Sequence, residues 1–133
     1  LYSIYYFAAS RHNILYPLSP FLLVNSLEVK FADNVIHQFA PIDTPQIVSR
    51  FYGYWHPTAG AFVDSELWPN LIVSARRVGV RLININARIS DKSFAKWLKF
   101  GKGLLKGIYS EFAVIFPCSA TDKQKISSVL GTH

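Results

Sequence analysis

Two polar clusters, Asp64-Ser65-Glu66-Leu67-Trp68-Pro69-Asn70 and Ile85-Asn86-Ala87-Arg88-Ile89-Ser90, each close a short apolar run. The first sets two carboxylates, Asp64 and Glu66, at the mouth of a helix that Pro69 can open. Alternate residues of an extended segment point the same way, so these acids could share one site. Equally, one of them could do no more than cap the helix. Glu66 would also stand near the positive end of that helix. The second cluster offers Asn86, Arg88 and Ser90. A loop arginine at a strand end suits bidentate binding of phosphate or carboxylate. Ser90 followed by Asp91 also reads as a helix start, and Asn86 as a turn residue. Polar clusters leaving consecutive strands on one side are how an open α/β sheet assembles a site.

Other chemistries lack their residues. His12, His37, His56 and His133 are scattered, with no HxxxH or paired-cysteine spacing for a metal. Gly101-Lys102-Gly103 falls inside a helical segment and follows no strand, so it is not a phosphate loop. The single Cys118 rules out an internal disulfide framework, and its place after the apolar run 112–116 marks it as a buried or half-buried bystander.

The elements that must position these clusters follow from periodicity. Val35–Phe39 reads as a strand. Asp43 or Thr44 can cap a helix from Pro45 to about Tyr54, with Ile47, Val48, Phe51 and Trp55 on or near one face. Ala59–Val63 is a second strand. A helix from Pro69 turns Leu71, Ile72 and Ala75 inward and ends at Gly79. Arg81–Ile85 is a third strand, Ser90–Ile108 a long helical segment, and Ala113–Phe116 a fourth strand. Ser119 then caps a last helix, with Asp122 as the acid of a capping box and Gly131 as its stop. Short strands alternating with amphipathic helices predict an α/β fold: a parallel, Rossmann-like sheet with helices on both faces. Residues 1–33 are poorly assigned; a strand near Phe21–Val24 is the only element that suggests itself there.

Half of the 133 residues are hydrophobic, which argues against disorder, and one modest domain is the expected size. The net charge of +6 is uneven, −2 over residues 1–66 and +8 over 67–133. That asymmetry points to an anionic partner for the second half. Lys92, Lys96, Lys99, Lys102 and Lys106 recur at helical spacing and form one basic stripe, opposite Phe94, Trp97, Leu98, Leu104, Leu105 and Ile108. Such a helix can lie on an anionic membrane, with Lys96, Trp97, Lys99 and Lys102 as contacts, or simply on the rest of its domain. No segment reads as a signal peptide or a transmembrane span. Without a nucleic-acid motif, charge alone does not make this a nucleic-acid-binding module.

From Asn34 to Thr132 the sequence resembles the N-terminal domain of the 3-deoxy-D-manno-octulosonic acid (Kdo) transferases of lipopolysaccharide synthesis. Four pieces carry the resemblance in order and spacing: Val35-Ile36-His37-Gln38-Phe39-Ala40-Pro41-Ile42-Asp43-Thr44-Pro45, Ser65-Glu66-Leu67-Trp68-Pro69-Asn70, Ile85-Asn86-Ala87-Arg88-Ile89-Ser90, and Ser119-Ala120-Thr121-Asp122. The resemblance implies half of a two-domain GT-B glycosyltransferase, with residues 34–133 as a partial acceptor domain. It implies transfer of Kdo from CMP-Kdo to the lipid A precursor at the cytoplasmic face of the inner membrane. The donor CMP-Kdo is a substrate, and no cofactor or metal is expected. Glu66 matches the family acid near the catalytic centre, Asp64 takes a place usually held by glutamate, and Asn86 and Arg88 match the neighbouring Asn-Ala-Arg loop. The family's proposed general base, a glutamate after a glycine in an early loop, has no counterpart here; Glu28 is not in that context. The Gly-Thr-polar-Ser run of the family is also missing after Leu22–Val24. The expectation is therefore a fragment, inactive alone, whose partners are the lipid A precursor, an anionic membrane surface and the remainder of a transferase. The alternative is a non-catalytic membrane-associated or partner-binding domain.

Overall fold

A computed structural model describes residues 4–9, 14–18, 35–39, 41–65 and 67–132. The elements in chain order are β1 (Ile4–Ala9), β2 (Ile14–Leu18), β3 (Val35–Phe39), α1 (Pro45–Trp55), β4 (Pro57–Val63), α2 (Pro69–Arg77), β5 (Arg81–Ala87), α3 (Asp91–Phe100), α4 (Lys102–Ser110), β6 (Phe112–Pro117) and α5 (Ala120–Leu130). The strand suggested near Phe21–Val24 lies outside the described residues, as does Glu66.

One sheet holds all six strands in the order β3-β2-β1-β4-β5-β6. The pairs β4–β5, β5–β6 and β2–β3 are parallel. β1 runs antiparallel to both of its neighbours, β2 and β4. The four strands read from the sequence therefore all point one way, and the fold is α/β and Rossmann-like. β1 departs from the all-parallel expectation. Four residues separate Ala9 from Ile14, whereas a parallel crossover needs a dozen or more.

The steps β4→β5→β6 advance in one direction along the sheet, and right-handed crossovers then put both connections on the same face. The helices obey this rule: α1 packs on α2, α2 on α4 and α4 on α5, forming one layer. Beneath it lie Val48 and Phe51 of α1, Leu71, Ile72 and Ala75 of α2, Leu105 and Ile108 of α4, and Val129 of α5, against Phe62, Leu82 and Phe112 of the sheet. Phe62 and Phe112 meet edge to face at 5.7 Å. Helices on both faces are not found among the described residues. On the opposite face Ile85, Val114 and Phe116 are exposed, at 39%, 44% and 54%.

Local details moved in three places. On α1 the inward face is Val48, Phe51 and Tyr52, while Ile47 is exposed; the Tyr52 hydroxyl donates to the Leu71 carbonyl at 2.7 Å and ties α1 to α2. The long helix expected from Ser90 to Ile108 is two helices that meet at Gly101, whose backbone leaves the helical region (φ −158, ψ 26) while its N–H still closes onto Trp97. A Cβ there would sit 2.7 Å from the Trp97 ring, so the ring is seated on the glycine. Cys118 is exposed rather than buried, because it lies past the end of β6 where the chain turns towards α5.

Candidate functional site

The C-terminal ends of β4, β5 and β6 all open on the same edge of the sheet. Asp64 follows the last residue of β4 and Asn86 sits near the end of β5, and both adopt the left-handed region, with φ of 64 and 58. Asp and Asn tolerate that conformation better than most residues. The register of β5 against β6 shifts between Ile85 and Ala87, so Asn86 is the bulge residue that re-aims its own side chain. The two turns bring the side chains together: the Asn86 amide donates to the Asp64 carboxylate. The Asp64 N–H also bonds the Ile85 carbonyl at 2.9 Å. Arg88 stands over the same carboxylate, Nε 3.8 Å from Oδ1, with both side chains partly exposed.

Asp64, Asn86 and Arg88 are therefore brought together, by a route the sequence did not suggest, while Glu66, expected on the same rim, lies outside the described residues. The chain is not extended through Asp64, so the argument from alternating residues does not apply. Asp64 does not cap α2 either. The first N–H groups of α2 are taken by Asp43, whose carboxylate accepts from Asn70 at 3.1 Å and Leu71 at 2.8 Å. The Asn70 side chain returns a bond to the Asp43 carbonyl at 2.8 Å. Thr44, the other cap candidate, is the N-cap of α1 but makes no side-chain bond there.

Ser90 caps α3, accepting from the Ser93 N–H at 3.2 Å. Beside it lies a cleft of about 670 Å³ lined by Arg88, Ile89, Ser90, Ser93, Trp97, Tyr109 and Asp122, together with Ser65 and Leu67. Burial and the Asp122 charge push the Tyr109 hydroxyl up to about 12, so it is neutral there. Asp122 completes its capping box with Ser119, and it also accepts from the Ile89 N–H at 3.0 Å. Its carboxyl is held below the ordinary range by the Ser119 bond first, then the Ile89 bond, with Lys125 and Arg88 adding attraction. Sequence reasoning missed that second reach of Asp122 and the whole role of Lys125. Only a Ser-x-x-Asp capping signal was available to find them.

Lys96, Lys99 and Lys102 are exposed, and the Lys99 ammonium lies 5.0 Å over the Phe100 ring. The break at Gly101 places Lys92, Lys96 and Lys99 on α3 and Lys102 and Lys106 on α4, so no one continuous helix carries the stripe. Trp97 is half-buried against the core and faces the cleft, and Leu105 is fully buried. The apolar groups that do reach solvent beside the lysines are Leu98, Phe100 and Leu104. Among the described residues no three His, Cys, Asp or Glu side chains converge as a metal site. No helix among them is long and apolar enough to cross a membrane.

A Rossmann-like α/β domain with a polar site at the C-terminal ends of its parallel strands is the class that fold and site define. Residues 24–133 match the family described as 3-deoxy-D-manno-octulosonic-acid transferase (kdotransferase), and the chain belongs to that family. Among curated relatives, a probable mitochondrial 3-deoxy-D-manno-octulosonic acid transferase of Arabidopsis thaliana is 44% identical over 87 residues, 65% of this chain and 20% of its own length. The 3-deoxy-D-manno-octulosonic acid transferase of Rickettsia felis is 40% identical over 103 residues, 77% of this chain and 22% of its own. A bifunctional glycosyltransferase/methyltransferase of Fusobacterium nucleatum is 29% identical over 126 residues, 93% of this chain. The chain thus spans about a fifth of the length of the relatives it matches. No solved structure matches it significantly.

Proposed function

We propose that this chain is the acceptor-side domain of a Kdo transferase, which receives the lipid A precursor at the cytoplasmic face of the inner membrane. The observation that carries the reading is the meeting of Asp64, Asn86 and Arg88 beside the cleft, at the strand ends where open α/β sheets bind ligands. Arg88 and Ser90 would hold the anionic head of the acceptor. Asp64 orients the Asn86–Arg88 loop, and Glu66 takes the place of the family acid near the reacting centre. Lys96, Lys99 and Lys102, with Leu98, Phe100 and Leu104 beside them, supply a peripheral contact with an anionic membrane. Trp97 sits behind that surface as a wall of the cleft.

Glycosyl transfer needs a donor held against the acceptor and a base at the acceptor hydroxyl. Residues 1–133 contain no recognisable base segment, and CMP-Kdo would be bound by the remainder of a transferase. The isolated polypeptide is accordingly expected to bind acceptor without turning it over. Neither a cofactor nor nucleic acid enters this reading. The apolar sheet face left open at Ile85, Val114 and Phe116 favours one second reading, a non-catalytic membrane-associated or partner-binding domain.

Cosedimentation with anionic vesicles, with and without lipid A precursor and at two salt concentrations, tests both. The expected result is salt-sensitive binding, abolished in a Lys96→Glu, Lys99→Glu, Lys102→Glu variant, plus a precursor-dependent increment abolished by Arg88→Ala. A lysine-dependent signal without any precursor increment would favour the second reading. Equal binding by all proteins would refute the acceptor reading and the membrane contact through these lysines.

A further inference from the structure

We propose that α5 is a positioning element for the Arg88 loop: Asp122 and Lys125 grip the main chain of Ile89 from both sides and so fix where Arg88 stands over the cleft. The inference rests on the reading of that cleft as the acceptor-side site.

The Ile89 N–H donates to Asp122 Oδ1 at 3.0 Å, and the Ile89 carbonyl accepts from Lys125 Nζ at 2.9 Å. The Ile89 side chain is itself buried, 6% exposed. The residue between Arg88 and Ser90 is thus held at three points, two of them by one helix 33 and 36 residues further along the chain. Neither contact is needed to build α5. The capping box is complete with Ser119, whose hydroxyl accepts from the Asp122 N–H at 3.1 Å and donates to the carboxylate at 2.5 Å. Lys125 is no ordinary surface lysine either. Its side chain is 14% exposed, and its ammonium also meets Asp91 Oδ1 at 2.6 Å in the first turn of α3. One cation therefore joins the Arg88 loop, α3 and α5. Asp122 carries its charge because Ser119 and the Ile89 N–H stabilise the carboxylate. The Arg88 guanidinium has its Nε 3.8 Å from Asp64 Oδ1, attracts the Asp122 carboxylate as well, and keeps a 57% exposed side chain. An arginine with only a long contact to Asp64, on a main chain bonded at both the N–H and the carbonyl of the next residue, is set to receive an anionic group without first breaking a tight ion pair.

The test uses the 15N-labelled chain with Asp122→Asn, Lys125→Met, Lys125→Arg and Arg88→Ala. Three quantities are read: amide exchange at Ile89, the Arg88 Nε–Hε resonance, and affinity for a synthetic diphosphorylated glucosamine disaccharide. Asp122→Asn should speed Ile89 exchange about tenfold or more, because its carboxylate holds that N–H, whereas Lys125→Met frees the Ile89 carbonyl and leaves the N–H on Asp122. Both should shift the Arg88 resonance and weaken disaccharide binding several-fold, while Lys125→Arg stays near wild type on all three. An unchanged Arg88 resonance in Lys125→Met, with wild-type circular dichroism, overturns the proposal. That variant decides the matter if Asp122→Asn fails to fold. Disaccharide binding by Arg88→Ala equal to wild type would instead refute the acceptor reading, and exchange and resonance still judge the grip, since neither needs the ligand.

Discussion

Asp43→Ala should be among the more damaging single substitutions on the surface of this domain. Asp43 caps α2 from 27 residues away, with one carboxylate oxygen on the Leu71 N–H at 2.8 Å and the other on the Asn70 N–H at 3.1 Å. Removing a side-chain cap costs about 1 kcal/mol, and up to about 2 in well-formed cases. A carboxylate at a helix N-terminus adds roughly 0.3–1 kcal/mol through the helix dipole. The two N–H groups are only partly open to water, so solvent replaces the lost bonds imperfectly. The sum is about 1.3–3 kcal/mol. For a domain of this size that lowers the melting temperature by roughly 4–12 °C. Thr44→Ala supplies the contrast, since Thr44 stands at the N-cap of α1 without a side-chain bond and should cost less than about 0.5 kcal/mol. Urea denaturation of the two variants at neutral pH, fitted with a common slope, reads the difference directly. Equal costs for both, or a cost below about 0.5 kcal/mol for Asp43→Ala, would refute the assignment of the cap to α2.

The glycines of α3 and α4 should respond with opposite signs. Gly103→Ala and Gly107→Ala meet nothing within 4 Å and should each stabilise by roughly 0.5–1 kcal/mol, whereas Gly101→Ala drives a methyl into the Trp97 ring, destabilising by about 1–3 kcal/mol and shifting Trp97 fluorescence. Acid titration should expose Asp122. Its folded-state carboxyl lies below the ordinary value, so its contribution to stability is complete above about pH 4 and falls away as pH drops through the depressed value. Denaturation midpoints of wild type and Asp122→Asn should therefore converge on acidification and separate again towards neutrality. A gap independent of pH would contradict that account.

The sequence alone determined what depends on near neighbours. Leu71, Ile72 and Ala75 recur at helical spacing, and all three are buried where α2 meets the core. Ser119 and Asp122 form the capping box their spacing demands, and Gly131 ends α5 at φ 78, a conformation glycine adopts freely. The family was legible too, because its motifs are contiguous strings. Tertiary structure decided the partners. The Asp43 carboxylate caps the second helix rather than the first, since the loop after β3 lies against the start of α2. The side chains of Asp64 and Asn86 meet because two neighbouring strand ends both turn through the left-handed region, and nothing in either tripeptide announces that pairing. Among the described residues α1, α2, α4 and α5 gather on one face because successive right-handed crossovers step in one direction, a property of strand order that a list of elements does not contain. Lys125 carries no signal in the sequence, and only the fold brings Ile89 and Asp91 to it. Hydrophobic period and capping act within a turn or two of helix, whereas the contacts that hold the site span 22 to 36 residues of chain and exist only once the sheet has fixed which loops are neighbours.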